Sequence, residues 1–263
     1  MKLRLSHGDD GKAVASVINY IGGTFFQSVK MDINNVQLFD CPNYAYKAWL
    51  EATLNYSTDQ KNGILQAAGY FEDEADVLDK TNDGFLTRSK ASQDTIDIIA
   101  PLHIDHFTTD RLLIPHLNIQ IQLYRNSDTF AIECYDTPIP NVHISVESMH
   151  LLVRAVDIVS SANLALEKTL LSYPAKYPYR RTNVKTLYVA AGQRELPYQT
   201  IFSDIIPRRV VIGCVAQQAL TGSLNHNPFN FQHFNLSEIS ISHVIYHSNA
   251  LDERIISHAK SLM

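Results

Sequence analysis

An all-β sandwich or jelly roll in two parts is the fold class this sequence predicts, on three observations. Short β-type runs recur along the chain; in the cleanest, Leu117, Ile119, Ile121 and Leu123 alternate with Asn118, Gln120 and Gln122. Long polar corners separate these runs, and only three or four stretches carry helical spacing. Midway, Thr137-Pro138-Ile139-Pro140-Asn141 interrupts the pattern with residues that leave a ladder short of donors. Residues 1–140 and 141–263 are therefore expected as the two parts.

Leu3 and Leu5 open the chain as a short alternation, broken at Gly8-Asp9-Asp10-Gly11. Ala13 to Phe26 is apolar with Gly22-Gly23 near its end, which fits a short helix and a bend. Gln27 to Phe39 reads as a hairpin. Val29, Met31 and Ile33 alternate, Asn34-Asn35 tolerates the left-handed turn, and Val36 and Leu38 resume. Behind Pro42, a helix is expected over 43–56 with Tyr46, Trp49, Leu50 and Leu54 as its apolar stripe. A second helical piece is expected over 63–68. Residues 70–93, acidic and then turn-rich at Asn82-Asp83-Gly84, read as a solvated loop. Thr95 to Ala100 is a strand ended by Pro101, and after Leu117–Leu123 the turn Asn126-Ser127-Asp128 sends 129–135 back as its partner.

Beyond the prolines, Val142, Ile144 and Val146 open another strand, extended by Met149 to Ile158. Ser160 or Ser161 caps a helix over 162–171, with Pro174 and Pro178 after it. Strands are expected at 184–189 and 201–206. The β-branched run Arg208–Val215 fits a strand buried on both faces. A corner containing Gly222, Asn225, Asn227, Pro228 and the rings Phe229, Phe231 and Phe234 leads to a strand at 238–242. A weakly amphipathic helix is expected over 252–263.

Of the 263 residues, 45% are hydrophobic and 19% charged, so the chain is globular rather than disordered. Its net charge of −5 argues against a surface devoted to phosphate. Three dispersed cysteines argue against a disulfide framework and make reduced thiols in cytosol or nucleus the simpler expectation. No run approaches the ~18 apolar residues of a membrane span, nor is there an apolar leader at the start.

Two constellations could carry chemistry. His103, Asp105, His106, Asp110 and His116 are divalent-ion ligand types, but on a strand His103 and Asp105 face one way and His106 the other. His226, His233, His243 and His247 with Glu238 could form an acid–base set, yet no nucleophile accompanies them. Ordinary backbone hydrogen bonding explains such corner histidines better. Arg180-Arg181 with Lys176 and Lys185, and Arg208-Arg209, are the basic clusters; they read as surface charge or as partners for the acidic 72–79 stretch before they read as DNA contacts. Tyr44, Tyr46 and Trp49 have core spacing rather than that of a base-stacking platform. No catalytic residue, cofactor or metal is expected.

Four collinear blocks carry a resemblance. Arg209-Val210-Val211-Ile212-Gly213 followed by Asn227-Pro228-Phe229-Asn230-Phe231-Gln232-His233-Phe234 is the first. The Tyr-rich stretch Tyr44–Glu51 with Leu54, Asn55 and Tyr56, then Lys61, is the second. Asp105, Phe107, Asp110-Arg111-Leu112-Leu113-Ile114 and Leu123–Phe130 form the third, and Ala175–Pro178 with Arg181, Val184 and Lys185 the fourth. Together they span roughly residues 14 to 245 and resemble the major capsid protein family of Polinton (Maverick) elements and adintovirus-like viruses.

The resemblance implies tandem (double) jelly rolls with short helices in the corners, the two parts being the two rolls. Both rolls are expected to be incomplete, because family members run longer at each end. It implies a structural subunit that joins copies of itself into a trimeric pseudo-hexagonal capsomer of an icosahedral DNA-virus shell. A minor penton protein is a further partner, and the location is the virion after host cytoplasm or nucleus. The same family occurs as genes in animal genomes, so an endogenised copy is one expectation and a domesticated β-sandwich binding module is the alternative. A hydrolase using the 103–116 histidines is the third, which bound metal would reveal.

Overall fold

The chain places its strands in pairs that only partly follow their order in sequence. In a computed structural model, the residues described are 1–7, 14–74, 77–136, 141–202 and 206–241. Among them, strands form three small antiparallel sheets with helices between. The order is β1 (Lys2–His7), β2 (Ala15–Val17), α1 (Ile21–Thr24), β3 (Phe26–Ile33), β4 (Val36–Cys41), α2 (Tyr44–Asn55), α3 (Thr58–Lys61), α4 (Asp83–Ala91), β5 (Thr95–Asp97), β6 (Ile119–Arg125), α5 (Asp128–Ala131), β7 (Ile132–Cys134), β8 (Val142–Ser148), α6 (Ser160–Ser172) and α7 (Gln217–Thr221). Single 3-10 turns sit at Ile64–Ala68 and Asp105–Thr108.

By contacts, one unit comprises Met1–Val184 and Gln217–Phe229, and the other Lys185–Ala216 and Asn230–Met263. In the first, β3 is the centre of a β4-β3-β6 sheet, β1 the centre of β5-β1-β8, and β2 pairs with β7. The hairpin β3–β4 forms as its pattern predicts. Asn34 and Asn35 take φ of 50° and 63°, the paired left-handed values of a tight hairpin. The alternating run 119–125 is β6, and its register sets Ile121 against Met31 and Leu123 against Val29, so the apolar sides share one face. Leu5 faces Ile144 in the same way in the sheet of β1.

Several expectations are corrected. After Asn126 the chain makes the helical turn α5, and β7 pairs with β2 rather than back onto β6. The strand at 142–148 forms, but its partner is β1, so a strand from beyond the proline interruption completes the sheet that the first strand begins. Residues 137–140 themselves lie outside the described residues. Within the supposed loop 70–93 lies α4. The Asn82 side chain accepts from Gly84 N and Phe85 N, so Asn-Asp-Gly is a helix cap here and not a hairpin turn.

Helix α2 buries Tyr46 of the expected stripe and half-buries Trp49 and Leu50, but not its last member. Leu54 is 46% exposed, whereas Tyr44, Ala48 and Ala52 are sealed, because the alanines let the helix approach β3 and α1 closely. Helix α6 spans the expected residues, yet its N-cap residue is Val159 with no side-chain cap and it buries none of its side chains. Residues 149–158, 184–189 and 208–215 form no strand, and Val210, Val211 and Ile212 are each more than 40% exposed. Through Ile241 no strand is formed by 238–241 either. The helix expected over 252–263 and residues 203–205 of the strand expected at 201–206 lie outside the described residues, while 201, 202 and 206 form no strand.

Candidate functional site

Two internal clusters organise the first unit, and the first is aromatic. Phe229 is buried, with its ring stacked on Trp49 at 4.6 Å and 11° between planes. Tyr46 and Phe130 meet the same ring edge-on, at 5.5 and 6.1 Å. Trp49 also lies 5.8 Å from Tyr70. Such offset and edge-to-face pairs each contribute about 0.5–1.5 kcal/mol beyond burial. Asn227 shapes the approach by accepting from Phe229 N at 2.8 Å, and Pro228 is buried beside it. Just before, Gly222 holds φ of 94°, and a Cβ there would come within 3.0 Å of Phe130 N, so only glycine fits.

Thus Tyr46 and Trp49 of α2 share one joint with Phe229 of the distant corner. Asn230 and Phe231 fall in the second unit, where Phe231 lies over Gly213 and Gln232 N donates to Cys214 O at 3.0 Å. His233 is exposed and accepts from Asn235 N, and Phe234 is 50% exposed, so the third ring of the corner stiffens nothing among the described residues.

The second cluster is polar and was invisible to motif reading. Lys47 is fully buried, with Nζ at 2.5 Å from Glu51, 2.9 Å from Asp105 and 2.8 Å from the His103 carbonyl. Glu51 also meets His103 Nδ1 at 2.9 Å, and His103 Nε2 lies 2.6 Å from the Tyr20 hydroxyl. The Tyr44 hydroxyl accepts from His103 N, and Asp105 accepts from Thr182 N. Burial pushes the Glu51 carboxyl up, but the bonds from His103 and Lys47 outweigh it and hold the group below its ordinary range. Tyr20 and Tyr44 are raised, chiefly by burial.

One signal could have found this cluster. Lys47 and Glu51 stand three and seven residues after Tyr44, a charged pair on the buried face of a helix. Chemically, a carboxylate, an imidazole and a phenol in line make a proton relay in composition. Tyr20 and His103 are sealed, however, and both ring nitrogens are engaged, so the arrangement pins α2 and α1 to the 103–105 segment.

The candidate ligand types of 103–116 serve separate contacts. Asp105 is taken by Lys47, His106 stacks on Tyr179 at 3.9 Å, and His116 sits in a turn at φ of 64°. Among the described residues no three His, Cys, Asp or Glu side chains converge to hold an ion. His226 is occupied by Ser223 and Asn225 of its own corner; His243 and His247 lie outside the described residues. Asp110 is exposed, whereas Arg111 reaches the Lys176 carbonyl at 2.6 Å and Tyr177 bridges Leu112 and Ile114. The 105–114 block is thereby laced to 176–182. A polar cleft opens beside it between Gln37–Asp40 and Tyr179–Asn183. Among the described residues no helix is long and apolar enough to cross a membrane.

Comparison with known proteins is sparse. The chain is 29% identical over 232 residues to "Uncharacterized protein F54H12.2" of Caenorhabditis elegans, an alignment covering 88% of this chain and 55% of that protein. The chain therefore spans about half the length of the curated relative it matches. No protein-family model matches it, and no solved structure does.

Proposed function

We propose that this chain is a capsid-type structural subunit, a tandem jelly-roll protein whose work is to associate with copies of itself into trimeric, pseudo-hexagonal units of a shell. Its partners are then sister copies and a minor penton protein, its place the virion after synthesis in host cytoplasm or nucleus, and catalysis is no part of its role. Three things support this reading: the four collinear blocks, the way 105–114 and 176–182 lace together, and the meeting of Tyr46 and Trp49 with Phe229. The observation that carries it is apolar surface. From Leu151 through Val159, Leu151, Leu152, Val153, Val156, Ile158 and Val159 are between 49% and 80% exposed, and in α6 Leu164 and Leu171 are 54% and 88% exposed. Contiguous apolar residues left bare on a chain mark a surface that a partner covers. The segment 149–172 carries Arg154 and Lys168 against Asp157 and Glu167, so its charges balance and suit a copy of itself better than a polyanion.

Size-exclusion chromatography with light scattering, followed by electron microscopy, tests the proposal. Trimers, hexagonal arrays or shells are expected; a monomer that persists at high concentration sinks it. The second reading is a β-sandwich binding module retained without assembly. It predicts the monomer.

A further inference from the structure

In the first unit one guanidinium serves two carboxylates, a feature that self-association does not require. Arg88 of α4 is 1% exposed and places Nη1 at 2.7 Å from Asp73 and Nη2 at 3.0 Å from Glu133 of β7. Its Nε donates to the Val17 carbonyl of β2, and Nη1 also reaches the Phe71 carbonyl. Asp73 belongs to a strap that crosses the start of α4 so closely that a Cβ on Gly84 would lie 2.4 Å from its Oδ1. Asn19 ties the same strap down: it accepts from Phe71 N at 3.0 Å and donates to Asp73 and to the Phe71 carbonyl.

The two acids are not equivalent. The Asp73 side chain is 23% exposed and holds a second donor in Asn19, while that of Glu133 is 2% exposed and its Oε1 is buried with no hydrogen-bond partner. With both ionised, the buried trio carries one net negative charge, an arrangement costly to enclose. Neighbouring elements bring it little relief: Ser16 of β2, opposite Glu133, donates its hydroxyl to Val17 O, and the Tyr135 phenol is itself raised, by burial first and by the Glu133 and Asp73 charges after it. Asp136 pairs with Lys80 away from the trio, and Asp128 of α5 is taken by Arg125 and His143.

We propose that Glu133 is a proton-binding site built into the fold, neutral when the strap 71–74 is held tightly and, when ionised, competing with Asp73 for Arg88 and loosening that strap. Burial, above all, supports this by pushing the Glu133 carboxyl up to about 7, with the Asp73 charge adding to it and Arg88 opposing it. The fold thus favours the protonated acid. Its contribution to stability is complete below the unfolded value near ~4.3 and is lost as pH rises through about 7.

The test is thermal and chemical unfolding of the full chain at pH 6 and pH 8, with the Glu133→Gln variant alongside. The folded-to-unfolded ratio of the natural chain is expected to fall by about tenfold more than that of the variant across this interval. Infrared spectroscopy of protein carrying carbon-13 glutamate supplies a readout that needs no variant. A protonated carboxylic-acid band is expected at pH 6 and should vanish by pH 8.5. Exchange of the Phe71 amide should rise over the same range beyond its intrinsic pH dependence. An unchanged pH slope in Glu133→Gln, or no such band at pH 6, overturns the proposal.

Discussion

Residues 15–144 and residues 149–216 have similar hydrophobic patterning and opposite outcomes. In the earlier stretch Val17, Ile18, Val29, Met31, Ile132 and Ile144 are all less than 5% exposed. In the later one Leu152, Val153, Val159, Tyr188, Val211 and Ile212 stand between 48% and 80% exposed, and no described residue of it is buried. The difference is partners. Alternation marks a segment able to lie in a sheet, but a strand is stabilised by cross-strand neighbours. Val29 and Met31 have β4 on one side and β6 on the other. Val210–Ile212 have neither among the described residues. Packing separates the two stretches, not propensity.

The comparison can be broken most forcefully from inside. Replacing Lys47 by Met removes the cation shared by Glu51 and Asp105 and leaves the buried Asp105 carboxylate without its counter-charge, which costs about 3–5 kcal/mol. Denaturant titration should show that loss in the first unit. Next, Phe229→Ala empties the centre of the aromatic joint and is expected to cost about 3–4 kcal/mol. Trp49 is the chain's sole tryptophan, so its fluorescence should shift to the red as the stacked ring is lost. The smallest effect belongs to the bare stretch. Leu152→Asp with Leu171→Asp should change monomer stability by no more than about 0.5 kcal/mol each, while abolishing any self-association seen by light scattering. A large stability loss from that pair would mean these side chains pack within the chain itself.

Legibility of the site followed the range of the forces involved. Asn34-Asn35 could be read as a turn because its φ preference is local. Asn82-Asp83-Gly84 was equally strong in composition and served a helix start, since the same Asn side chain satisfies a turn or an N-terminus. Tyr46, Trp49 and Phe229 were each notable alone, but nothing local could reveal that they stack on one another across 180 residues of chain. The Lys47 and Arg88 clusters were harder still. Isolated charges in sequence read as surface, and only the converging partners make their burial tolerable.

By itself the sequence determined the β3–β4 hairpin, the position of α2 and α6, the alternating run of β6 and the globular character of the chain, because these rest on neighbours a few residues apart. Tertiary structure alone decided that β8 returns to β1, that β7 joins β2, and that Lys47, Glu51, His103 and Asp105 close into one interior network. Those outcomes depend on desolvation and on which distant partner satisfies each buried donor, and no local pattern encodes either.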